Sequence, residues 1–275
     1  MIGSVCGDII GSRFEGEARH PKTRNFLLFD KKSRFTDDTV LTCAVADVLM
    51  NDLCYGETIR DYYLEYPDRG YGGSFKKWAL SDQTSGYNSW GNGSAMRVSP
   101  IAFYCNSVDE VMEEAKKSAE VTHNHEEGVK GAQAIALATY LAWHGKGKQE
   151  IKEAIEALGY QTDIILTSEH LGFDCSCKET VPQAIYAFLY SEDFESAIRD
   201  AIMMGGDSDT IAAMSGSIAH AYYKDIPKEF VKECFKRMPD ELIGIVCKFM
   251  IHYVDKDFLL ENVPVLEEDE GGSDI

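Results

Sequence analysis

The sequence predicts an all-α protein. Along most of its 275 residues, hydrophobic side chains recur at the three- and four-residue spacing of amphipathic helices. Alternating apolar and polar runs of strand length are absent from the sequence. Hydrophobic residues make up 44% of the chain and charged residues 27%, an ordinary composition for a globular protein and an unusual one for a disordered or fibrous chain. We therefore expect a helical bundle with a large core.

Two helices are predicted near the N-terminus. The first covers residues 2–13, where Gly3, Gly7 and Gly11 form a stripe of small residues that lets a second backbone approach closely. The second covers residues 37–50, whose aliphatic side chains share one face. Nine further amphipathic segments follow at residues 57–65, 108–120, 126–143, 148–158, 179–190, 194–204, 209–223, 227–236 and 240–253.

Two regions depart from the helical pattern. Residues 67–99 are rich in glycine and serine and carry large aromatic side chains, among them Trp78, Tyr87 and Trp90. Long loops in compact domains are usually functional, so we expect this segment to be irregular, ordered and part of a site. Residues 267–275 are acidic and poor in apolar side chains, which predicts a disordered tail. Because no repeat or linker interrupts the chain, we expect one domain over residues 1–266.

The charge balance excludes some classes of function. The chain has 46 acidic and 27 basic residues, a net charge of −19, and such a surface repels DNA and RNA. It remains compatible with a small anionic ligand in a local pocket. No apolar run is long enough to cross a membrane, and the N-terminal residues lack the basic region of a signal peptide. The eight cysteines include no C-x-x-C pair, so we expect reduced thiols and a cytoplasmic location.

Acidic residues stand at the start of two predicted helices. Thr36-Asp37-Asp38 precedes one helix, and Asp207-Ser208-Asp209-Thr210 precedes another. Each group is also a good N-terminal cap, so two independent caps are the alternative interpretation. If the two groups converge, four carboxylates and two threonine hydroxyls form the all-oxygen set that Mg²⁺ and Mn²⁺ prefer. Four negative charges would then match two divalent cations.

Three other motifs carry groups suited to chemistry. The loop at residues 91–97 has two glycines and a serine, which are typical either of a phosphate cradle or of a plain turn. Asp8 and Glu15 lie seven residues apart on one helical face, and Glu15 is a candidate acid or base unless it is simply exposed. His123-x-His125 lacks further zinc ligands nearby, so contact between His123 and a ligand is the better hypothesis.

Taken in order, these motifs resemble the ADP-ribosylglycohydrolase family over residues 1–255. The segments that carry the resemblance are Gly7-Asp8 with Gly11 and Glu15, Phe35-Thr36-Asp37-Asp38-Thr39, Gly91-Asn92-Gly93-Ser94-Ala95-Met96-Arg97, Thr122-His123, and Gly205-Gly206-Asp207-Ser208-Asp209-Thr210. Each segment alone is weakly specific, and the five in this order are strongly specific. The chain is shorter than typical eukaryotic members and is more similar to compact bacterial ones.

The resemblance implies a compact orthogonal helical bundle with two Mg²⁺ ions, or Mn²⁺, at the bottom of a cleft. The metal ligands implied are Thr36, Asp37, Asp38, Asp207, Asp209 and Thr210. The substrate-binding residues implied are Gly91, Asn92, Gly93, Ser94, Ala95, Met96, Arg97, His123 and Ser208. Catalytic roles are implied for Glu15, which matches a mobile glutamate of some members, and for Asp38.

The activity implied by the resemblance is hydrolysis of the glycosidic bond between ADP-ribose and an arginine or serine side chain of a protein. Three alternatives remain open at this point. The substrate could be a free conjugate such as O-acetyl-ADP-ribose, or the chain could be a non-catalytic ADP-ribose-binding module. A metal-dependent phosphohydrolase is the third alternative, although the expected histidine ligands are absent from the sequence. Neither the leaving group nor the oligomeric state follows from the sequence.

Overall fold

The structure is a computed structural model, and it describes residues 1–16, 21–163 and 173–258. Thirteen α-helices occur in these ranges: α1 Ile2–Gly11, α2 Asp37–Asn51, α3 Tyr55–Glu65, α4 Gly73–Ala79, α5 Ser99–Tyr104, α6 Val108–Glu120, α7 Glu126–Trp143, α8 Lys148–Ala157, α9 Cys177–Leu189, α10 Phe194–Met203, α11 Ser208–Tyr223, α12 Lys228–Phe235 and α13 Asp240–Tyr253. Within the same ranges the only β pairing is an isolated bridge between Gly91 and Ser176. The all-α prediction is confirmed.

Helices α1 and α11 pack against each other at the centre of the bundle. A Cβ atom at Gly7 would lie 2.1 Å from the carbonyl oxygen of Ala212, and one at Gly11 would lie 2.6 Å from the Cα atom of Asp209. Only glycine permits this approach, because both distances are far below van der Waals contact. The backbone of α11 therefore packs against the glycine stripe predicted on α1, and this contact places the start of α11 beside the end of α1.

The remaining helices enclose this central pair. All ten residues of α1 are buried, and α11 is buried from Ser208 to Ala221. Small side chains on α11 let α7, α9 and α10 pack closely around it. Large apolar residues such as Phe188, Phe194 and Phe249 fill the space between the outer helices. Burying each of these rings contributes roughly 1.5–3 kcal/mol, so the core holds the central pair rigidly.

The bounds of the predicted helices are close to the observed ones, but two short helices are not predicted. The segment at residues 67–99 contains α4 and a 3₁₀ turn at Asn92–Ser94, so it is not irregular throughout. Helix α4 buries Phe75 and Trp78 at three-residue spacing, and Phe75 stacks on Tyr71 with centroids 5.1 Å apart. Seven residues are too few to show a period, which is why α4 is missed. Helix α5 has only six residues and is missed for the same reason.

Three further observations concern membrane-spanning helices, the tail and the cysteines. Among the helices that the structure describes, none is both long and apolar enough to cross a membrane. The predicted tail at residues 267–275 lies outside the described residues. All eight cysteines are free thiols, and only Cys54 and Cys175 are exposed.

Candidate active site

The start of α2 is held against α1 by one buried carboxylate. Asp8 accepts hydrogen bonds from the backbone N–H of Thr36 at 3.0 Å and from its hydroxyl at 2.7 Å. It also accepts from the backbone N–H of Thr39 at 3.1 Å and from the Thr39 hydroxyl. Hydrogen bonds to an ionised carboxylate are among the stronger ones in proteins. Asp8 thereby fixes the position of Asp37 and Asp38 in the first turn of α2.

A glycine turn sets the start of α11. Gly205 and Gly206 have φ values of 76° and 66°, in the left-handed region that favours glycine. The carbonyl of Gly206 accepts a hydrogen bond from the N–H of Gly16 at 2.9 Å, which ties the segment after α1 to this turn. Asp207 follows as the N-cap of α11, and Asp209 lies in its first turn. The turn therefore brings these two aspartates and Glu15 into one region.

The two acidic helix starts converge in the structure. Carboxylate oxygens of Asp8, Asp38 and Asp209 lie within 4.8 Å of one another, and so do those of Glu15, Asp207 and Asp209. Asp209 belongs to both groups. The hydroxyl of Thr210 donates to Asp38 Oδ2 at 3.1 Å, a direct contact between α11 and α2. We call these five carboxylates the acidic cluster.

Burial and mutual repulsion perturb the acidic cluster strongly. Burial, reinforced by neighbouring carboxylates, raises the pKa of Asp38 and of Asp209 well above the ordinary 3.8. Burial also raises the pKa of Asp207 to about 6 and shifts the pKa of the adjacent Asp37 well upward. Like charges this close destabilise one another unless protons or cations neutralise them. The cluster is therefore arranged to receive positive charge.

The cluster has the properties of a site for hard divalent cations. Asp38 Oδ1 and Asp209 Oδ1 are buried and have no hydrogen-bond partner among the described residues. A buried carboxylate oxygen without a partner is costly, and a cation would satisfy it. Every ligand atom in the two groups is a carboxylate oxygen, the type that Mg²⁺ and Mn²⁺ prefer. The residues present thus fit the metals that the resemblance implies.

A cleft of about 400 Å³ opens above the acidic cluster. Glu15, Asp38 and Asp209 line its acidic end, and Tyr87, Gly91 and His123 are among the residues that line the part beside the loop at residues 91–97, which we call the loop end. A neighbouring open cavity of about 750 Å³ shares Tyr87, Ser89 and Gly91 with the cleft and is lined by Trp90. Trp90 is 57% exposed. The two cavities are therefore contiguous and form one depression.

The loop at residues 91–97 connects the two ends of the cleft. The side-chain amide of Asn92 donates to Asp207 Oδ2 at 2.7 Å, and its backbone N–H donates to the carbonyl of Cys175 at 2.8 Å. A Cβ atom at Gly93 would lie 3.1 Å from His123 Nε2. Glycine at this position therefore allows the loop to pass directly over the His123 ring.

The structure divides the predicted substrate-binding residues into two sets. Six of them line the cleft: Gly91, Asn92, Gly93, Met96, Arg97 and His123. Ser94, Ala95 and Ser208 are fully buried and are not among the lining residues. The Ser94 hydroxyl donates to the carbonyl of Gly128 at 2.7 Å, and that of Ser208 donates to the carbonyl of Phe14 at 3.2 Å. Their side chains support the loop and the start of α11 rather than facing the cleft.

The predicted metal ligands all line the cleft, but they are not equivalent. Thr36, Asp37, Asp38, Asp207, Asp209 and Thr210 are found there. Asp37 belongs to neither carboxylate group, and the two threonine hydroxyls are hydrogen-bonded to Asp8 and Asp38. Asp8 is missing from the predicted ligand set. Its signal in the sequence is a single acid within an otherwise apolar, glycine-striped helix.

Comparison with known proteins decides the family. The family model described as ADP-ribosylglycohydrolase matches residues 1–256. The chain belongs to the ADP-ribosylglycohydrolase family. It is 29% identical to the human protein named ADP-ribosylhydrolase ARH3, over 85% of this chain and 87% of that one. It is 28% identical to the chicken protein of the same name, over 90% and 92% of the two chains.

Two further proteins are similar to this ADP-ribosylglycohydrolase. The Pseudomonas putida protein named ADP-ribosylarginine hydrolase Tri1 is 25% identical, over 85% of this chain and 72% of its own length. A solved structure entitled ADP-ribosylglycohydrolase-related protein complex aligns with a TM-score of 0.67 and 23% identity, over 92% and 95% of the two chains. The latter shows the fold. The predictions of the family, its bundle and an ADP-ribosylglycohydrolase enzyme are therefore confirmed.

Proposed function

We propose that this ADP-ribosylglycohydrolase is a metal-dependent hydrolase that releases ADP-ribose from a modified arginine or serine side chain of a protein. The observation that carries this proposal is the pair of carboxylate groups that share Asp209 at the bottom of the cleft. The names of the relatives, ADP-ribosylhydrolase and ADP-ribosylarginine hydrolase, support the same reaction. Because the family includes the arginine-directed Tri1, both acceptor types are retained.

The proposed cofactors are two Mg²⁺ ions, with Mn²⁺ as the alternative. Asp8, Asp38 and Asp209 would hold one ion, and Asp207 and Asp209 would hold the other, with the carboxylate of Glu15 beside it. When bound, such ions orient the ribose hydroxyls and a water molecule and stabilise negative charge that develops nearby. Thr36, Asp37 and Thr210 line the cleft around them, and Thr36 and Thr210 hydrogen-bond to the carboxylates of Asp8 and Asp38.

The shape of the depression favours one orientation of ADP-ribose. The ribose that carries the acceptor would lie at the acidic cluster, and the diphosphate would lie along the loop that begins at Gly91 and beside His123. The adenine would then reach the neighbouring cavity, where the exposed Trp90 ring offers a surface for stacking. This arrangement keeps the phosphates away from the carboxylates.

The residues at the acidic cluster suit glycosidic cleavage. Such cleavage passes through a transition state with positive charge on the anomeric carbon and ring oxygen, which nearby carboxylates stabilise. Glu15 is only partly buried, whereas Asp38 is buried and bonded to the hydroxyl of Thr210. We assign Glu15 to accepting a proton from the water molecule that attacks the anomeric carbon. Asp38 is assigned to stabilising the positive charge on the sugar in the transition state.

The test is ADP-ribose release from two matched peptides, one modified on arginine and one on serine, with Mg²⁺ or with chelator. We expect release from at least one peptide, and only with the metal. Release from O-acetyl-ADP-ribose alone would replace the protein substrate by a small conjugate. If neither peptide nor conjugate reacts while ADP-ribose binds by calorimetry, the protein is a binding module and the proposed hydrolysis is wrong.

We infer a reducing, cytoplasmic compartment from the free state of all eight cysteines. The net charge of −19 favours a protein or small-molecule partner over bulk nucleic acid.

A further inference from the structure

A chain of three buried polar side chains lies beneath the loop end of the cleft. Arg97 Nη2 donates to the hydroxyl of Thr122 at 3.0 Å and to the carbonyl of Ser118. The same Thr122 hydroxyl lies 2.7 Å from Nδ1 of His123. Arg97 and Thr122 are fully buried, and His123 is 5% exposed. We call this chain the Arg97–Thr122–His123 relay.

The direction of each hydrogen bond in the relay follows from the donors available. A guanidinium has donors and no acceptor, so the oxygen of Thr122 must accept from Arg97. The Thr122 hydroxyl proton then needs an acceptor, and His123 Nδ1 is the one that the described residues offer. Nδ1 therefore accepts and carries no proton. Burial, with the positive charge of Arg97, lowers the pKa of His123 well below 6.5, so the ring is neutral at pH 7.

We propose that Arg97 and Thr122 are positioning residues that fix His123 as the Nε2–H tautomer, so that Nε2 donates a hydrogen bond to a ligand oxygen in the cleft. The identity of that ligand as ADP-ribose rests on the proposed function, whereas the tautomer does not. The oxygen belongs to the diphosphate, because an ionised phosphate oxygen can only accept a hydrogen bond.

The position of Nε2 supports a role toward the ligand. His123 lines the cleft, and Nε2 has no hydrogen-bond partner among the described residues. A Cβ atom would lie 3.1 Å from Nε2 if added at Gly93 and 3.6 Å if added at Gly91, so the nitrogen faces the loop. The opposite tautomer would direct a lone pair toward a ligand oxygen and repel it. A fixed tautomer therefore decides whether His123 attracts or repels the ligand.

Arg97 also keeps the protonation state of His123 independent of pH near neutrality. It has no carboxylate partner among the ion pairs of the described residues, and its Nε and Nη1 atoms lack hydrogen-bond partners there. An uncompensated buried cation opposes a second positive charge on His123. The histidine is thus kept neutral as well as oriented.

The first test measures the tautomer directly in the full chain without ligand. Labelled histidine ¹⁵N spectra, assigned with a His123→Gln variant, should show a protonated Nε2 and an unprotonated Nδ1 for His123. The nearly isosteric variant Thr122→Val should give a mixture of tautomers, and Thr122→Ser should restore the wild-type pattern. Melting temperature and circular dichroism show whether each variant folds. A wild-type spectrum with the proton on Nδ1 would overturn the proposal, whatever the enzyme hydrolyses.

The second test uses ADP-ribose binding by calorimetry. We expect Thr122→Val to weaken ADP-ribose binding about tenfold, the range for one lost hydrogen bond, and Thr122→Ser to remain within about twofold of wild type. Equal affinity of all three proteins would remove the ligand-facing part of the proposal. If wild type shows the expected tautomer but binds no ADP-ribose, the proposed function fails while the relay stands.

Discussion

The two ends of the cleft are opposite in electrostatic character. At one end, five carboxylates converge, and the buried oxygens Asp38 Oδ1 and Asp209 Oδ1 lack donors among the described residues. At the other end, the buried guanidinium of Arg97 has no carboxylate partner among the residues that the structure describes, and two of its nitrogens have no acceptor there. Each end thus lacks the charge that a bound group would bring: cations at the first and anionic oxygens at the second.

The difference also concerns how each end is built. The acidic cluster stands on helix starts that Asp8 and the turn at Gly205–Gly206 hold in place. The loop end stands on the glycine-containing loop at residues 91–97, and buried side chains such as Ser94 and the Arg97–Thr122–His123 relay support it from beneath. Substitutions at the acidic cluster should therefore change charge balance and catalysis. Substitutions at the loop end should mainly change ligand geometry and affinity.

The largest effect is expected from Asp209→Asn, because Asp209 belongs to both carboxylate groups. Losing a shared metal ligand removes several kcal/mol of transition-state stabilisation, so ADP-ribose release should fall by about 10³-fold or more. Metal content by mass spectrometry should fall with it, while helical circular dichroism is retained. Hydrolysis at the wild-type rate would contradict the assignment of the cluster.

The same variant should be more stable than wild type when metal is removed. Folded-state pKa values raised above 3.8 for Asp38, Asp207 and Asp209 mean that the folded protein binds more protons than the unfolded chain. The contribution of these carboxyl groups to folding stability is therefore fully present below about pH 4. It is lost as the pH rises through their pKa values in the folded protein, about 6 for Asp207. In chelator at pH 7.5, Asp209→Asn should gain about 0.5–2 kcal/mol of unfolding free energy, and Mg²⁺ should reverse the order. Denaturant titrations at pH 5 and 7.5 provide the measurement.

The next effect is expected from Glu15→Gln. Glu15 is the least buried carboxylate of the cluster, and removing its ability to exchange a proton should slow turnover by about 10²–10³-fold. ADP-ribose affinity should change little, because the other cleft residues are untouched. Single-turnover rates and calorimetry separate the two quantities. A loss of affinity with unchanged turnover of bound substrate would make Glu15 a binding residue.

A smaller effect is expected from Asp8→Asn, which keeps one oxygen but weakens the four hydrogen bonds to Thr36 and Thr39. Mispositioning the start of α2 should lower metal affinity and activity by about 10–100-fold. The variant Asp47→Asn is a suitable control, because it changes an aspartate of α2 that does not line the cleft. Metal affinity within about twofold of wild type in Asp8→Asn would show that Asp8 is only a structural anchor.

Much of the fold and part of the site follow from the sequence. Long helices such as α6, α7 and α13 have many periodic positions, and their predicted and observed bounds coincide. The glycine stripe of α1 also indicates a close helix contact correctly. Short helices such as α4 and α5 cannot be predicted from the sequence, because six or seven residues cannot define a period.

The remaining parts of the site depend on tertiary contacts that no local pattern encodes. Asp8 is a cluster member because Gly7 and Gly11 bring α11 against α1, which spacing along one helix cannot show. Ser208 matches a motif, yet its hydroxyl turns to the carbonyl of Phe14 once α11 is packed. Motifs therefore identify a segment well and the direction of a side chain poorly.

The smallest expected effect concerns the choice between acceptors and involves Arg34. Arg34 is exposed and lines the same cleft as Glu15, and its guanidinium has no hydrogen bond or ion pair with the described residues. A guanidinium leaving group passing at about 6 Å would be repelled by about 0.7–1.4 kcal/mol in a solvent-exposed setting, whereas a serine hydroxyl would not.

Arg34→Gln should therefore raise the ratio of kcat/KM for the arginine-linked over the serine-linked peptide by about three- to tenfold. Lys248→Gln, which removes one positive charge from the exposed face of α13, should leave this ratio unchanged. Added salt should shrink the difference, because exposed charges are screened. An equal change in both peptides would mean that Arg34 acts on ADP-ribose itself, and the acidic end of the cleft would then select its acceptor by shape rather than charge.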